Sequence, residues 1–175
     1  MKVLETERLT LRWLSAEDAS FILDLLNQPA FLQYVGDRGV RTLEDARAYI
    51  ARGPIASYEQ HGFGLYLVEL KADQAPLGIC GLLRRDGLSD VEIGFAFLPQ
   101  FWSKGYAHEA AVAVMTYSRE VLKLNRIVAI VAPDNDPSIR LLNKLGLQFE
   151  RMINWPEDGA KIMLFGICYV ENREA

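Results

Sequence analysis

The residue pattern predicts an α/β layer fold in a single domain over residues 1–175. Segments of strand period and segments of helical period alternate in the order β-α-α-β-β-β-α-β-α-β-β, which is how a sheet with helices layered on it is encoded. The length of 175 residues, half of them apolar, suits one domain with one sizeable core. No repeat, low-complexity tract or linker divides the chain.

Residues 8–14 alternate apolar and polar side chains and should form a strand. Ser15 follows as a helix N-cap, with Asp18 three residues on and apolar positions at helical spacing through Leu26; Pro29 should end that helix. Thr42 and Asp45 open a second helix in the same way, expected to run to about Gln60. Residues 64–70 and 76–83 read as two strands of a hairpin turning around Asp73-Gln74, and residues 90–98 as the next strand. Residues 105–123 make the strongest helix, long, Ala-rich and free of Gly or Pro after the first position. Residues 126–131 are β-branched and brief, a buried strand. Residues 137–145 form a short helix with Asp136 as N-cap, Pro137 at the first position and Gly146 ending it. Strands over 149–155 and 161–170 bring the total to seven.

Composition bounds the function. A formal net charge of −4 argues against a general nucleic-acid binder, while leaving room for a local basic groove or an acidic surface that attracts a cationic amine. No apolar run approaches the roughly 18 residues of a membrane span. The N-terminus turns acidic at Glu5 and Glu7 before a signal-peptide core forms. Cys80 and Cys168 each sit inside an apolar strand-like run and are expected as buried, reduced thiols rather than a disulfide. A cytoplasmic protein without membrane or nucleic-acid partners, and without a metal, is the expectation.

The chemistry concentrates where Phe95-Ala96-Phe97-Leu98 stops at Pro99. A short loop containing Ser103, Lys104 and Gly105 then feeds a helix starting at Tyr106. The first N–H groups of a helix lack intrahelical acceptors and the helix dipole favours negative charge there. Gly105 allows close backbone approach and Lys104 adds a positive charge, so a pyrophosphate is the suited guest. The P-loop pattern G-x-x-x-x-G-K-S/T and the dinucleotide pattern G-x-G-x-x-G are both absent.

Trp102-Ser103-Lys104-Gly105-Tyr106-Ala107 resembles the acetyl-CoA loop of the GNAT superfamily of N-acetyltransferases, usually Q/R-x-x-G-x-G/A. Trp102 stands where Gln or Arg is usual and Ser103 where Gly is common; the form W-x-K-G-Y-A is similar to the branch that contains the ribosomal-protein N-terminal acetyltransferases. The opening Glu5-Thr6-Glu7-Arg8-Leu9-Thr10-Leu11-Arg12 resembles the E-T-x-R-L-x-L-R start of that branch. Asn135-Asp136-Pro137-Ser138, followed by Lys144-Leu145-Gly146-Leu147, resembles its N-x-x-S and K-x-G-F segments. The three segments occur in the family's order and span essentially the whole chain. The resemblance implies a GNAT fold, with a mixed central sheet of about seven strands and a cleft where strands 90–98 and 126–131 splay apart. It implies acetyl transfer from acetyl-CoA to a primary amine, above all a protein or peptide N-terminal amino group of the ribosomal-protein type. A small-molecule amine acceptor, or a module that binds acyl-CoA without turnover, are the alternatives.

The resemblance assigns residue roles as well. The main chain at Phe95, Ala96 and Phe97 would pair with the pantetheine arm; Ser103, Lys104, Gly105, Tyr106, Ala107 and His108 would hold the pyrophosphate. Asn135 would bond the cofactor arm and Ser138 would lie near the sulfur. Many GNAT enzymes have a Tyr acid where Leu142 stands here, so in this branch Ser138 is the implied partner of the leaving thiolate. His108, facing a phosphate, suits hydrogen-bond donation better than base catalysis. Glu92 emerges from the residues themselves. Period two places it on one strand face with the small Gly94 and Ala96, towards open space, where burial would raise its pKa into the range of a general base. A structural acid holding a neighbouring Arg or a backbone amide is the other reading of Glu92. Arg140 and Lys144 suit either the 3′-phosphate of CoA or a solvated helix face. The acceptor pocket is expected from residues 29–41 and 53–63, with Phe31, Tyr34 and Trp155 either lining it or packed in the core.

Overall fold

The computed structural model describes residues 1–156 and 158–169. Among the described residues eight strands form one sheet: β1 (Lys2–Glu5), β2 (Leu9–Trp13), β3 (Leu65–Leu70), β4 (Pro76–Leu83), β5 (Glu92–Phe97), β6 (Arg126–Val131), β7 (Gln148–Asn154) and β8 (Lys161–Cys168), in the spatial order β1-β2-β3-β4-β5-β6-β8-β7. The strand absent from the sequence reading is β1. It is four residues long and only half-buried, so no alternation announces it, yet it pairs antiparallel with β2. The expected strand over 161–170 ends at Cys168, and its last residue, Val170, lies outside the described residues.

Every neighbouring pair is antiparallel except β5 and β6. Those two run parallel and share one register pair, Glu92 with Val128, where the Val128 N–H donates to the Val91 carbonyl at 3.0 Å. Beyond that rung they part. The mixed sheet and its splayed centre are therefore both present.

Helices cover both faces. Against one lie α1 (Ala19–Leu26), α2 (Pro29–Tyr34) and α3 (Leu43–Ile50), burying Ile22, Leu25 and Ile50 with Leu67 and Ile79 of the sheet, whereas α4 (Ala56–His61) buries Tyr58 in the opposite core, stacked on Tyr66. Against the other lies α5 (Tyr106–Glu120), whose Ala110, Ala111 and Val114 let it settle closely over Tyr66, Leu77 and Ile93. A sixth helix, α6 (Asp136–Lys144), follows β6.

Three expectations are revised here. Pro29 begins α2 instead of ending α1, because at the first helical position its missing N–H has no partner to lose. Between α3 and α4 the chain makes one π-helical turn, Ala51–Ile55, at Pro54, whose missing N–H cannot continue the regular ladder. Cys168 is exposed at the end of β8, where its Sγ accepts from Arg126 Nη1 at 3.5 Å; only Cys80 is the buried thiol expected, and both are free. Among the described residues no helix is long and apolar enough to cross a membrane.

Candidate active site

The gap between β5 and β6 presents an unfinished strand edge. The Val91 carbonyl faces β6, so strand alternation turns the main-chain groups of Phe95 and Phe97 and the Ile93 carbonyl the same way. Trp102 Nε1–H donates to the Phe97 carbonyl at 2.8 Å, leaving Phe97 its N–H. The side chain of Phe97 is buried in the core and that of Phe95 packs against it. Ala96 differs: its main chain faces β4, in register with Ile79, and its methyl group lines the cleft. The indole bond also explains Trp102 in the loop motif, since it anchors the loop to the end of the strand.

The loop itself bends through two left-handed residues, Ser103 at φ 58° and Gly105 at φ 80°. Gly105 immediately precedes α5, so the unpaired N–H groups of the first turn, at Tyr106, Ala107 and His108, open beside it. Lys104 and His108 are exposed, and Lys104 Nζ stands 5.7 Å from the Phe101 ring centre. An unforeseen clamp holds this loop. Arg8 donates from Nε to Glu109 at 2.7 Å and from Nη1 to the Lys104 carbonyl at 3.1 Å, and its guanidinium lies 4.5 Å from the Tyr106 ring centre. Thr6 Oγ1–H and the Arg8 N–H both donate to the other Glu109 oxygen, at 2.6 and 2.9 Å. Partial burial pushes the Glu109 carboxyl up, but the bonds from Thr6 and Arg8 outweigh it and hold the group below its ordinary value. The Thr6-x-Arg8 pair thus fixes the loop from the far end of the sequence. Its partner Glu109 was not legible as such, because first-turn acids are common on any helix.

Where β5 and β6 part, a cavity of about 520 Å³ opens. It brings together Glu92, Phe95, Ala96, Asn135 and Ser138; the loop residues Ser103 to His108 lie outside its lining. Phe31, Tyr34 and Trp155 line its other side, and Phe31 is at the same time buried in the core, so both of its readings hold. The segment 53–63 does not reach it: Tyr58 and Phe63 are buried in the core, with the Tyr58 hydroxyl bound to the Leu65 carbonyl.

Glu92 lies 3% exposed on the wall of this cavity, so the open space expected beside it is a closed pocket wall. The reason is local. A Cβ on Gly94 would stand 2.6 Å from Leu83 Cδ1, so Leu83 already fills the room that the small residue leaves. Arg85 Nε donates to Glu92 Oε2 at 2.5 Å. Burial raises the Glu92 pKa, the Arg85 charge opposes it, and burial prevails. The Glu92 carboxylate is thus a buried group held in an ion pair with Arg85 on the cavity wall.

On the β6 side, Asn135 rather than Asp136 caps α6, its Oδ1 accepting from the Ser138 N–H at 3.3 Å. That bond spends the Asn135 oxygen on the helix start, while its side-chain NH2 has no hydrogen-bond partner among the described residues and the residue lines the cavity. The Ser138 side chain is half-buried at the cavity edge, and Leu142, 1% exposed, lies one turn further along the same wall. Arg140 and Lys144 are exposed.

Comparison with known proteins places this architecture. Residues 8–148 match the family model described as an acetyltransferase (GNAT) domain. An N-acetyltransferase of Bacillus licheniformis, p20, is 34% identical over 154 residues, covering 87% of this chain and 86% of that protein. The crystal structure of a GNAT-family acetyltransferase from Bacillus anthracis superposes with a TM-score of 0.79 at 27% identity, covering 96% of this chain and 98% of the other. The ribosomal alpha-N-protein acetyltransferase RimL, solved with coenzyme A, shares the fold at a TM-score of 0.82 and 18% identity, over 96% of this chain and 98% of that one. The chain belongs to the GNAT family and is an acetyl-CoA-dependent N-acetyltransferase.

Proposed function

We propose that the enzyme acetylates the N-terminal amino group of a protein or peptide, with Glu92 taking the proton from the amine. The observation that carries this is the buried Glu92 carboxylate at the closed end of the gap where β5 and β6 separate. A primary amine is protonated near neutral pH and cannot attack until a base relieves it. Glu92, raised by burial, suits that task directly or through one water, while Arg85 keeps its carboxylate in place.

Acetyl-CoA fits the residues present. The free main-chain groups of Phe95 offer strand-like bonds to an amide-bearing arm, and the first turn of α5, led by Gly105, offers N–H groups to a pyrophosphate. The Asn135 side-chain amide adds a donor on the opposite wall. When bound, acetyl-CoA supplies the acetyl thioester. The Ser138 hydroxyl, at the N-terminal end of α6, gives a hydrogen bond to the departing sulfur in place of the tyrosine that Leu142 replaces. Kinship of fold with RimL supports the protein N-terminus as acceptor. A small amine is the second reading, favoured by the enclosed, charged wall around Glu92.

A panel of peptides and free amines, read by thiol release from acetyl-CoA, tests the proposal; binding without release from any amine would leave an acyl-CoA-binding module. Ser138→Ala is expected to lower kcat by roughly 10- to 10³-fold with little change in acetyl-CoA affinity, as loss of one transition-state donor does. Asn135→Ala is expected instead to raise the acetyl-CoA dissociation constant. Steady-state kinetics alongside calorimetry separate the two, and the reverse pattern would exchange these roles.

A further inference from the structure

Resting on the acetyltransferase reading of this site, we propose that the acceptor carries a carboxylate within two or three bonds of its amine, held by Arg85 with help from Arg38 and Tyr49. Arg85 commits only Nε to Glu92; neither Nη group has a hydrogen-bond partner among the described residues. The side chain is half-buried, 25% exposed, and the guanidinium sits 5.9 Å from the Trp155 ring centre on the cavity wall. An arginine held flat by one carboxylate, with its two-pronged end open, matches a second carboxylate in the bidentate geometry that lysine cannot offer.

The surroundings agree in sign. Arg38 and Tyr49 line the same cavity, and Arg38 makes no ion pair among the described residues. Burial pushes the Tyr49 hydroxyl up while the charges of Arg38 and Arg85 pull it down, which places both guanidinium groups within electrostatic reach of that hydroxyl. Arg38 also acts on Glu92. Of the acids on the cavity wall, Asp37 is bound by Arg41 at 2.5 Å, Glu92 by Arg85, and Asp158 accepts from the Ala160 N–H at 2.9 Å in its own turn. The bases Arg38 and Lys161 have no such partner among the described residues. An amine at Glu92 thus has a cationic fork beside it, which is the geometry of an amino group with a nearby carboxylate.

That carboxylate has two sources, the α-carboxyl of a free amino acid or an acidic first side chain of a peptide. The experiment compares kcat/KM for alanine against alaninamide, and for aspartyl-alaninamide against asparaginyl-alaninamide. Preference for the carboxylate member by about 10- to 100-fold in either pair is expected, the pair identifying the source. Arg38→Ala and Tyr49→Phe should each shrink that ratio several-fold, and added salt should shrink it further. Arg85→Lys should collapse it by losing the fork while keeping the charge. Equal rates for both members of both pairs, turnover confined to amines outside the panel, or a ratio that none of the three variants changes would overturn the inference. Absence of thiol release with every amine would instead remove the acetyltransferase reading on which it rests.

Discussion

Gly105→Asp is expected to abolish acetyl-CoA binding while leaving the protein folded. Gly105 adopts φ 80°, a left-handed conformation that costs an L side chain roughly 1–2 kcal/mol. A Cβ there would meet Arg8 Nη2 at 3.3 Å, and the new carboxylate would compete with Glu109 and the Lys104 carbonyl for that guanidinium. It would also set a negative charge at the mouth of the first helical turn, where the pyrophosphate must come. Loop strain, a displaced clamp and charge repulsion act in one direction. Titration calorimetry should show affinity reduced by at least about 100-fold, and circular dichroism should show a native spectrum, since the residue is exposed. Lys104→Ala, removing an exposed charge, should weaken binding by only about fivefold or less. An Asp variant that binds as the parent does would detach the loop from the cofactor.

Glu92→Gln is expected to lower kcat by about 10²–10⁴-fold with acetyl-CoA affinity retained. Glutamine keeps the shape and an acceptor for Arg85 Nε, so the ion-pair geometry survives while the base is lost. The pH profile is the sharper readout. A base acts only when deprotonated, so activity should rise with pH through a value above the ordinary carboxylate range, because burial raises Glu92. That acid limb should vanish in the variant. The same shift has a stability counterpart. The contribution of the buried neutral form is full below the unfolded pKa and is lost as pH rises through the folded one, a loss the variant does not suffer. Activity within a few-fold of the parent with the acid limb unmoved would make Glu92 purely structural.

The fold was legible wherever periodicity and punctuation agreed. The helix after Gly105, the strand at Arg126–Val131 and the hairpin around Asp73-Gln74 all carry strong local patterns, and all form, the helix ending at Glu120 short of the expected 123. What escaped was non-local. β1 is too short and too exposed to alternate, and the role of Pro29 depends on whether a second helix begins there. The cap of α6 shifted by one because Asn135 and Asp136 are both good caps, and only the approach of Ser138 decides between them. At the site, Glu92 was legible as an acid among small residues. An arginine partner was one of its readings, but which arginine it would be, and the closure by Leu83, were not legible, because both depend on the register between β4 and β5. The Thr6–Arg8–Glu109 clamp joins residues about a hundred positions apart, beyond any local pattern.

The single rung between β5 and β6 has a mechanical meaning. The sheet is two panels, one of strands β1 to β5 and one of β6 to β8, hinged at Glu92 and Val128. A cofactor arm lying along the open edge of β5 would act as a missing strand, stitching the panels together along their length. The ligand is then part of the architecture as well as of the reaction. Without it, the amide hydrogens of Phe95 and Phe97, which face the gap, should exchange quickly. Saturating CoA should slow both, and should do so even in the Glu92→Gln enzyme, where turnover has gone but the seam still closes.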